Sequence, residues 1–431
     1  MNHKINFTLD KNELQASGPV SGEPLHIGFF TDTYAPQING IAVSLQLLTN
    51  GLRAAGHYVT VFAPRLPGHR DSDGDVYRIP AVRYMQLPSV YIAIPGTPRT
   101  TLALRRSQFD ILHVHSPLTI GMLAYITAQL KNLPLIYTYH TSITDYTHYL
   151  KIGGQTRPVL WATRWFSKTT TNLSDQVIVP SAKFKRVLQE QNVKRPIHLI
   201  PNGIDLANFH NPKSPGAYRQ RLGLNPNQPL LLYVGRLAPE KKLELVIDAF
   251  AHAASQNMDA HLVIAGDGNG SSRSQLEERA AASGYGRRIH FLGMIDRSDL
   301  PNLLGDGTLF LSASTTETQC IAMLEAIAAG LPVVAVWDDA FEGMLVDGQN
   351  GRITPPDARP FGALICNMLA DHAARKAFGQ RSLELSRKFS VETQADTLVD
   401  LYRQAIVSNT GNTNQYLMSE SFSNINEKHN S

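Results

Sequence analysis

The sequence predicts an α/β fold built from two doubly wound, parallel-sheet domains of the Rossmann-like type. At 431 residues the chain is too long for one ordinary hydrophobic core and suits two domains of roughly 200 residues each. Short, continuous apolar runs alternate with stretches of helical periodicity, which is typical of parallel strands buried on both faces. The alternation restarts in the middle of the chain, so we expect the same architecture twice.

The first cycle begins with the strand "LHIGFF", followed by a loop that contains Gly40. A helix with apolar residues at Val43, Leu47 and Leu48 comes next, and Gly56 ends it. The strand "YVTVFAP" follows at once. Four later runs complete this half as further strands: "FDILHVHSP", "LPLIYTYHT", "QVIVPS" and "IHLIPNGID".

The second cycle contains the strands "PLLLYVG", "AHLVIAGDG", "RIHFLGMI", "GTLFLSAS" and "LPVVAV". The stretch "FHNPKSPGAYRQRLGLNPNQ" separates the two cycles and is rich in Pro, Gly and Asn, as linkers are. These patterns predict a polar leader at residues 1–24, an N-terminal domain at 25–207, a C-terminal domain at 208–385, a helical segment at 386–407 that returns toward the N-terminal domain, and a disordered tail at 408–431.

The composition, with 43% apolar and 18% charged residues, is typical of a soluble globular protein. No run of about 18 apolar residues predicts a membrane-spanning helix. The first 24 residues lack the apolar centre of a secretion signal. Two cysteines, Cys320 and Cys366, exclude a disulfide framework and fit a reducing cytoplasm.

The charge is unevenly distributed. Residues 1–207 carry 20 lysines and arginines against 12 acidic residues, whereas the remainder carries 20 against 24. The basic N-terminal half suggests an anionic partner such as a membrane surface or a phosphorylated acceptor. Basic groups that merely solvate this half explain the excess equally well. The basic residues form no dense run and no RNA-module signature, so nucleic acid is not an expected partner.

Three residues are candidates for contact with a phosphorylated ligand. Arg236 follows the strand "LLLYVG", and Lys241 lies five residues later at the start of a helix. An arginine fork and a lysine beside a helix N-terminus suit a pyrophosphate, although a solvated helix start has the same pattern. Gly40 would let backbone N–H groups approach a phosphate or sugar, and an ordinary turn glycine fits as well. The surrounding loop lacks the GxGxxG fingerprint, which disfavours dehydrogenase-type dinucleotide binding.

His140, Glu317 and Glu325 are candidates for contact with hydroxyl groups. His140 ends a strand of the predicted sheet, where neutral imidazole could bind a sugar hydroxyl or serve the structure alone. A helix running throughout would separate Glu317 from Glu325 by about 12 Å. That distance exceeds the spacing of about 5–5.5 Å in retaining glycosidases. The glutamates therefore suggest hydroxyl binding rather than an acid–base pair.

At this point the chain resembles a known family. The pieces "YVGRLAPEKKLELVIDAF", "LVIAGDG", "FLGMID", "STTETQCIAMLEAIAAGLPVVA" and "LVDGQNGRITPP" resemble the retaining nucleotide-sugar glycosyltransferases of the GT-B fold, "glycosyl transferases group 1". The stretches "FFTDTYAPQINGIAVSL" and "IYTYHTSITDYTHYL" extend the resemblance to about residues 25–405. They lean toward the branch that includes glucosyl-diacylglycerol synthases and mannosyltransferases.

The resemblance implies a role for each candidate in two domains that face a cleft. Arg236 and Lys241 would bind the diphosphate of a UDP-glucose or GDP-mannose type donor, near Gly40, while Glu325 would bind the ribose hydroxyls. In the reaction itself, Glu317 would hold the transferred sugar and His140 would contact it near the reacting carbon. We expect no metal and no tightly bound cofactor, because side chains supply the cations.

The acceptor is less defined. Branch resemblance and charge suggest a diacylglycerol-type lipid and a cytoplasmic protein peripheral to the inner membrane face. A soluble or polysaccharide acceptor, or a nucleotide-sugar epimerase or hydrolase, remains the alternative. Five residues in "TRPVLWATRWFSKTTTN" could form a basic and aromatic side of a helix on anionic lipid, unless the tryptophans face the core: Arg157, Trp161, Arg164, Trp165 and Lys168.

Overall fold

The computed structural model describes residues 22–37, 39–71, 74–84, 91–140, 157–256, 258–268 and 270–427, with the side chains of residues 157–160 and 410–427 left out. Most of the predicted polar leader therefore lies outside the described residues. The chain forms two compact units. The N-terminal unit contains the chain up to Pro180, Phe184–Pro201 and everything from Glu392, and the C-terminal unit contains Ser181–Lys183 and Asn202–Val391.

The N-terminal unit is an α/β unit around one parallel sheet. Its strands are β1 (His26–Phe30), β2 (Tyr58–Pro64), β3 (Val76–Ile79), β4 (Ala81–Arg83), β5 (Tyr91–Ala93), β6 (Ile111–Val114), β7 (Leu135–Thr138), β8 (Gln176–Val179) and β9 (Ile197–Leu199). Its helices are α1 (Gly40–Ala54), α2 (Pro98–Arg106), α3 (Thr119–Lys131), α4 (Arg157–Asn172) and α5 (Ala182–Glu190).

The sheet of this unit has the order β3-β2-β1-β6-β7-β8-β9, and β4 and β5 pair separately as an antiparallel ribbon. Apolar residues cover both of its faces. Ile27 and Phe29 of β1 belong to the core on one face, and Phe30 belongs to the core on the other. Burial on both sides explains why these strands appear as continuous apolar runs in the sequence.

The C-terminal unit repeats the architecture. Its strands are β10 (Leu230–Val234), β11 (His261–Ala265), β12 (Ile289–Gly293), β13 (Leu309–Ser312), β14 (Val333–Val336) and β15 (Gly351–Thr354). Its helices are α6 (Leu206–His210), α7 (Ala217–Arg221), α8 (Leu243–Ala254), α9 (Gly270–Ala282), α10 (Leu300–Gly305), α11 (Ile321–Ala328), α12 (Ala358–Ala370) and α13 (His372–Ser386).

The second sheet is parallel and has the order β12-β11-β10-β13-β14-β15. Leu231 and Tyr233 of β10 pack into one core with α8 and α12, whereas Leu230 and Leu232 pack into the opposite core with α10 and α11. Each unit is thus a parallel sheet covered by helices on both faces. The predicted fold class, two doubly wound Rossmann-like domains, is confirmed.

The last helix, α14 (Val391–Glu427), lies in the N-terminal unit from Glu392 onward. Leu398, Leu401 and Tyr402 are buried in the same core as Ile27 and Phe29. The helix also covers residues 408–427, for which the sequence predicts a disordered tail. A helix that has already formed adds one hydrogen bond for each residue that extends it, so even a polar stretch can continue it.

Gly266, directly after β11, shows how tightly the strand ends meet in the C-terminal unit. Its φ is +143°, and an added Cβ would lie 1.8 Å from the carbonyl oxygen of Gly235, which follows β10. The Gly266 N–H donates to the Gly293 carbonyl oxygen at 2.8 Å. Glycine is therefore required where the ends of β10, β11 and β12 come together.

We predict that Gly266→Ala lowers the free energy of unfolding by at least about 2 kcal/mol, because the new methyl group clashes with rigid backbone. Urea unfolding followed by circular dichroism measures the change. Gly270→Ala is the matched control, since a Cβ on Gly270 meets nothing within 4 Å. Equal unfolding midpoints for the two variants would contradict the packing described for Gly266.

Candidate active site

The centre of the C-terminal unit's site is an ion pair between Lys241 and Glu317. Lys241 ends a short 3₁₀ turn, Pro239–Lys241, after β10, and Glu317 lies in the loop after the neighbouring strand β13. The Lys241 Nζ donates to Glu317 Oε1 at 2.6 Å, and both side chains are largely buried. Carboxyl ends of adjacent parallel strands thus bring together two candidates that are 76 positions apart.

Burial alone would lower the pKa of the Lys241 ammonium, but the Glu317 carboxylate outweighs it and the net shift is upward. Lys241 is therefore a fixed positive charge at neutral pH. Such a charge, held at the end of a strand and largely removed from water, suits binding of an anionic ligand.

Arg236 lies directly after β10, on the same edge of the sheet. Its Nη2 donates to Glu240 Oε1 at 3.0 Å, and 57% of its side chain is exposed. The Tyr233 hydroxyl donates to the Arg236 backbone carbonyl at 3.0 Å and fixes the chain there. A guanidinium in a solvent-exposed ion pair can exchange its partner at low cost.

The loop that carries Glu317 is held by two residues not identified from the sequence, Asp338 and Lys183. The Glu317 backbone N–H donates to Asp338 Oδ2 at 3.1 Å. The Lys183 Nζ donates to both Asp338 carboxylate oxygens at 2.9 Å and to the Glu317 carbonyl at 3.2 Å. Asp338 is buried and follows β14, the strand beside β13. The position of the Glu317 backbone is thus fixed by charge-assisted hydrogen bonds.

Glu325 occupies the middle of α11 and is only 3% exposed. Burial raises its pKa, and Arg297 opposes that shift. Arg297 Nη1 lies 2.7 Å from Glu325 Oε1, and the carboxylate has further lone pairs that can accept hydrogen bonds. The separation of about 12 Å between Glu317 and Glu325 was expected for one continuous helix. Because α11 begins only at Ile321, Glu317 lies outside that helix and the condition is not met.

Two residues between the glutamates have structural contacts. Gln319 Oε1 accepts from the Asn202 backbone N–H at 2.8 Å and from Asn202 Nδ2 at 2.7 Å. Cys320 precedes α11 with a φ of +53°, in the left-handed region that favours glycine. Burial raises the pKa of its thiol, which is therefore protonated.

His140 follows β7 in the N-terminal unit and belongs to a buried group of three histidines. Its Nε2 lies 3.1 Å from Nδ1 of His115. The rings of His115 and His113 lie 4.0 Å apart, and His113 bonds Tyr402 and Thr138, each at 2.6 Å. Burial lowers the pKa of His140 to about 4, so its imidazole is neutral at pH 7.

Gly40 is the exposed first residue of α1, after the N-cap Asn39, whose side chain accepts from the Ala42 N–H. A Cβ at Gly40 would meet nothing within 4 Å. Gly40 therefore begins the helix after β1 rather than lying in the loop that the sequence predicts, and there is open space above its backbone. Nothing in this geometry requires glycine there for packing.

Asp32 is a buried carboxylate of the same region that sequence reasoning missed. Its Oδ1 accepts from the Thr119 hydroxyl at 3.2 Å and from the Ile120 backbone N–H at 3.4 Å. Asp32 thus satisfies polar groups at the N-terminus of α3. Its other oxygen has no hydrogen-bond partner within the described part of the chain. Burial raises the Asp32 pKa to about 6.

The comparisons with known proteins agree with this geometry. Glycosyltransferase Family 4 matches residues 38–208, and Glycosyl transferases group 1 matches residues 216–384. The fold and these matches define a glycosyltransferase of the GT-B class. The chain is 30% identical over 391 residues to the alpha-monoglucosyldiacylglycerol synthase of Streptococcus pneumoniae, covering 89% of this chain and 87% of the relative. It therefore belongs to the group 1 glycosyltransferases.

Other relatives and structures are consistent with this membership. A GDP-mannose-dependent alpha-mannosyltransferase of Corynebacterium glutamicum is 26% identical, over 77% of this chain and 76% of the relative. The sucrose-phosphate synthase structure from Thermosynechococcus elongatus superposes with a TM-score of 0.74 at 23% identity, covering 89% of this chain and all of that one. Anabaena HepE in complex with UDP gives 0.70 at 18% identity, over 88% of this chain and all of that one. These structures support the fold.

The raised pKa of Asp32 predicts that this carboxyl group destabilises the folded protein at neutral and higher pH. A carboxyl group whose pKa is higher in the folded state stabilises the fold at low pH, and this stability is lost as pH rises through about 6. Asp32→Asn keeps an oxygen that can cap α3 and removes the charge. We expect the variant to be more stable than wild type by about 1–3 kcal/mol at pH 8.

Urea unfolding at pH values from 4 to 8 checks this prediction, with the advantage of the variant expected to vanish near pH 4. The control is Asp110→Asn in the same unit. The Asp110 carboxylate accepts a hydrogen bond from the His26 backbone N–H at an exposed position. An advantage of Asp32→Asn that did not change with pH would contradict the assignment.

Proposed function

We propose that this glycosyltransferase transfers a hexosyl group from a nucleoside diphosphate sugar to an acceptor hydroxyl, with retention of the anomeric configuration. The observation that carries the proposal is the Lys241–Glu317 ion pair at the carboxyl edge of the sheet, with Arg236 on the same edge. A donor of this kind presents two negative phosphates and a set of sugar hydroxyls. Its chemistry matches two cations and a carboxylate acceptor.

Binding of the donor would then be an exchange of partners. The diphosphate takes Lys241 and Arg236 as cations, and the released Glu317 carboxylate accepts hydrogen bonds from the sugar hydroxyls. The Glu325 carboxylate, which has lone pairs beyond the one that faces Arg297, binds the ribose hydroxyls. The hydroxyl hydrogen bonds keep the largely buried Glu317 carboxylate from being left without a partner, which would cost several kcal/mol.

The reaction follows from the same charges. The bond between the anomeric carbon and the diphosphate oxygen breaks, and Lys241 and Arg236 stabilise the negative charge that develops on the leaving group. The acceptor oxygen attacks the anomeric carbon on the face that the phosphate leaves, and its proton passes to a phosphate oxygen. His140 contacts the sugar near the reacting carbon. Because side chains supply the positive charge, we expect transfer to proceed without a divalent cation.

We further propose a diacylglycerol-type lipid as the acceptor and a UDP-glucose or GDP-mannose type donor. The names of the relatives support both assignments: an alpha-monoglucosyldiacylglycerol synthase also occurs in Acholeplasma laidlawii, 28% identical over 76% of this chain and 84% of that relative. GDP-mannose-dependent transferases support the second donor. A soluble or polysaccharide acceptor is the alternative, and product analysis with a lipid extract distinguishes them.

The exposed surface of α4 supports binding of the protein to a membrane surface. Trp161 and Trp165 are 68% and 57% exposed, which decides against burial of these tryptophans in the core. Arg164 is exposed as well, and Lys168 is half-buried. The side chain of Arg157 lies outside the described part of the chain. Tryptophans beside basic residues are typical of surfaces that contact lipid headgroups.

Helix α3 extends this surface. Four apolar residues lie along it at every fourth position, and all are 42–82% exposed: Leu118, Met122, Ile126 and Leu130. The Tyr125 hydroxyl of α3 donates to the Thr170 carbonyl of α4 at 2.9 Å, so the two helices are neighbours. Exposed apolar side chains in a row are unusual on a surface that faces only water.

The charge of this region indicates an anionic partner. Helices α2, α3 and α4 contain seven basic residues and no Asp or Glu: Arg99, Arg105, Arg106, Lys131, Arg157, Arg164 and Lys168. Within the described residues, no helix is both long and apolar enough to cross a bilayer. We therefore propose that the protein lies on the inner face of a membrane through α3 and α4.

Donor binding tests the C-terminal site. Arg236→Ala and Glu325→Ala should each raise the Kd by about 10-fold or more, because each removes a charge-assisted hydrogen bond to the donor. Isothermal titration with UDP, UDP-glucose, GDP and GDP-mannose measures the change. Arg273→Ala is the matched control, since Arg273 forms an i,i+4 ion pair with Glu277 on α9 just as Arg236 does with Glu240. Unchanged affinity in both test variants would refute the assignment.

Vesicle flotation tests the membrane proposal. We expect the protein to float with vesicles that contain phosphatidylglycerol, to bind pure phosphatidylcholine weakly, and to be released by salt. Two double variants, Trp161→Ser with Trp165→Ser and Ile126→Ser with Leu130→Ser, test the surface. Each should weaken binding by about 10-fold, since each removes apolar area that becomes buried when the protein binds the membrane. Met294→Ser, at an equally exposed apolar residue of the other unit, serves as control. Wild-type flotation by both double variants would rule the surface out.

A further inference from the structure

The three buried histidines of the N-terminal unit form an ordered arrangement rather than a loose cluster. His113 lies in β6 and His115 one residue beyond it, so both side chains lie on the same face. The backbone N–H of His115 donates to the Phe30 carbonyl at 2.8 Å, and the Phe29 ring meets the His115 ring edge-on at 4.6 Å. The ring of His115 is therefore held in one place, with Nδ1 directed at His140.

Only one proton can lie between the two nitrogens of the His115–His140 contact. Burial lowers the pKa of both rings, so each is neutral at pH 7 and carries one proton. In one arrangement His115 Nδ1–H donates to His140 Nε2, and His140 carries its own proton on Nδ1. In the other, His140 Nε2–H donates, and His115 must carry its proton on Nε2.

The surroundings of His115 decide between these arrangements. Its Nε2 is buried and has no hydrogen-bond partner within the described part of the chain. A buried N–H group without an acceptor is costlier than a bare acceptor without a donor. His113 does not oppose this choice, because its partners are hydroxyl groups of Tyr402 and Thr138, which can donate or accept.

We infer that His115 is a positioning residue: it holds His140 in the tautomer with the proton on Nδ1 and so makes it a neutral hydrogen-bond donor. This inference rests on the proposed function. A fixed N–H donor suits a sugar hydroxyl oxygen or an oxygen that gains negative charge as the donor sugar's bond breaks. Sequence alone could not show this, since His115 and His140 are 25 positions apart.

Replacement of His115 separates positioning from packing. His115→Asn places an amide nitrogen where Nδ1 stands and keeps a donor toward His140, whereas His115→Leu fills the space without one. We expect kcat within about 3-fold of wild type for the Asn variant and at least about 10-fold lower for the Leu variant, with the donor KM little changed in both. His140→Ala should lower kcat as well, and His115→Leu should add little to it.

The control is a second imidazole pair of the same kind. His261 Nδ1 lies 2.9 Å from His290 Nε2 in the C-terminal unit, and His261 begins β11, at the edge of the sheet opposite Lys241 and Glu317. His261→Leu should therefore leave kcat unchanged.

Nitrogen-15 spectra of the imidazole groups at pH 7 report directly which His140 nitrogen carries the proton. A proton on Nε2 in the wild-type protein would overturn the inference, and so would equal kcat values for the Asn and Leu variants. Wild-type kcat in His140→Ala would overturn the role proposed for His140 in transfer, while the spectra would still decide the tautomer. The failure of the proposed function and that of the tautomer assignment are thus distinguishable.

Discussion

The buried ion pair between Lys241 and Glu317 is the interaction on which the C-terminal site depends. Removal of an ammonium and a carboxylate from water costs several kcal/mol each, and a pair of this kind is rarely the cheapest way to stabilise a core. The structure nevertheless surrounds it with further polar contacts, since Asp338 and Lys183 fix the Glu317 backbone. Such an arrangement is expected where a ligand of matching charge takes the place of one partner of the ion pair.

The topology of the sheets explains why the candidate residues converge. In the C-terminal unit the chain runs from β10 outward to β12 and then returns to the other side of β10 with β13. Loops at such a reversal diverge and leave a crevice at the carboxyl ends. Lys241 follows β10 and Glu317 follows β13, so they border this reversal. In the N-terminal unit the reversal lies between β1 and β6, where Asp32 and His115 follow the two strands.

The sequence predicted those features that depend on local pattern. Central strands are buried on both faces, so β10 and β13 appear as unbroken apolar runs. The strands β3 and β15 at sheet edges and the β4–β5 ribbon are only three or four residues long and gave no such strand signal in the sequence. Candidate site residues could be found because strand ends mark the crevice.

The partners of those residues could not be found in the same way. Lys183 contacts a residue 155 positions away, and Arg297 reaches Glu325 from a different loop. Single side chains brought together by the fold leave no periodicity in one sequence. In the same way, only the structure shows that Asp338, 21 positions from Glu317, accepts a hydrogen bond from the Glu317 backbone and holds that loop.

Cys320, the residue directly before α11, is a strained point of the backbone near Glu317. Cys320 occupies a left-handed conformation, which explains why a glycine is suited to this position and implies a cost of about 1–2 kcal/mol for a residue with a Cβ. Gln319 offsets part of that cost with its buried hydrogen bonds to Asn202. Its amide is engaged by the protein, and Cys320 packs against the core beside α11.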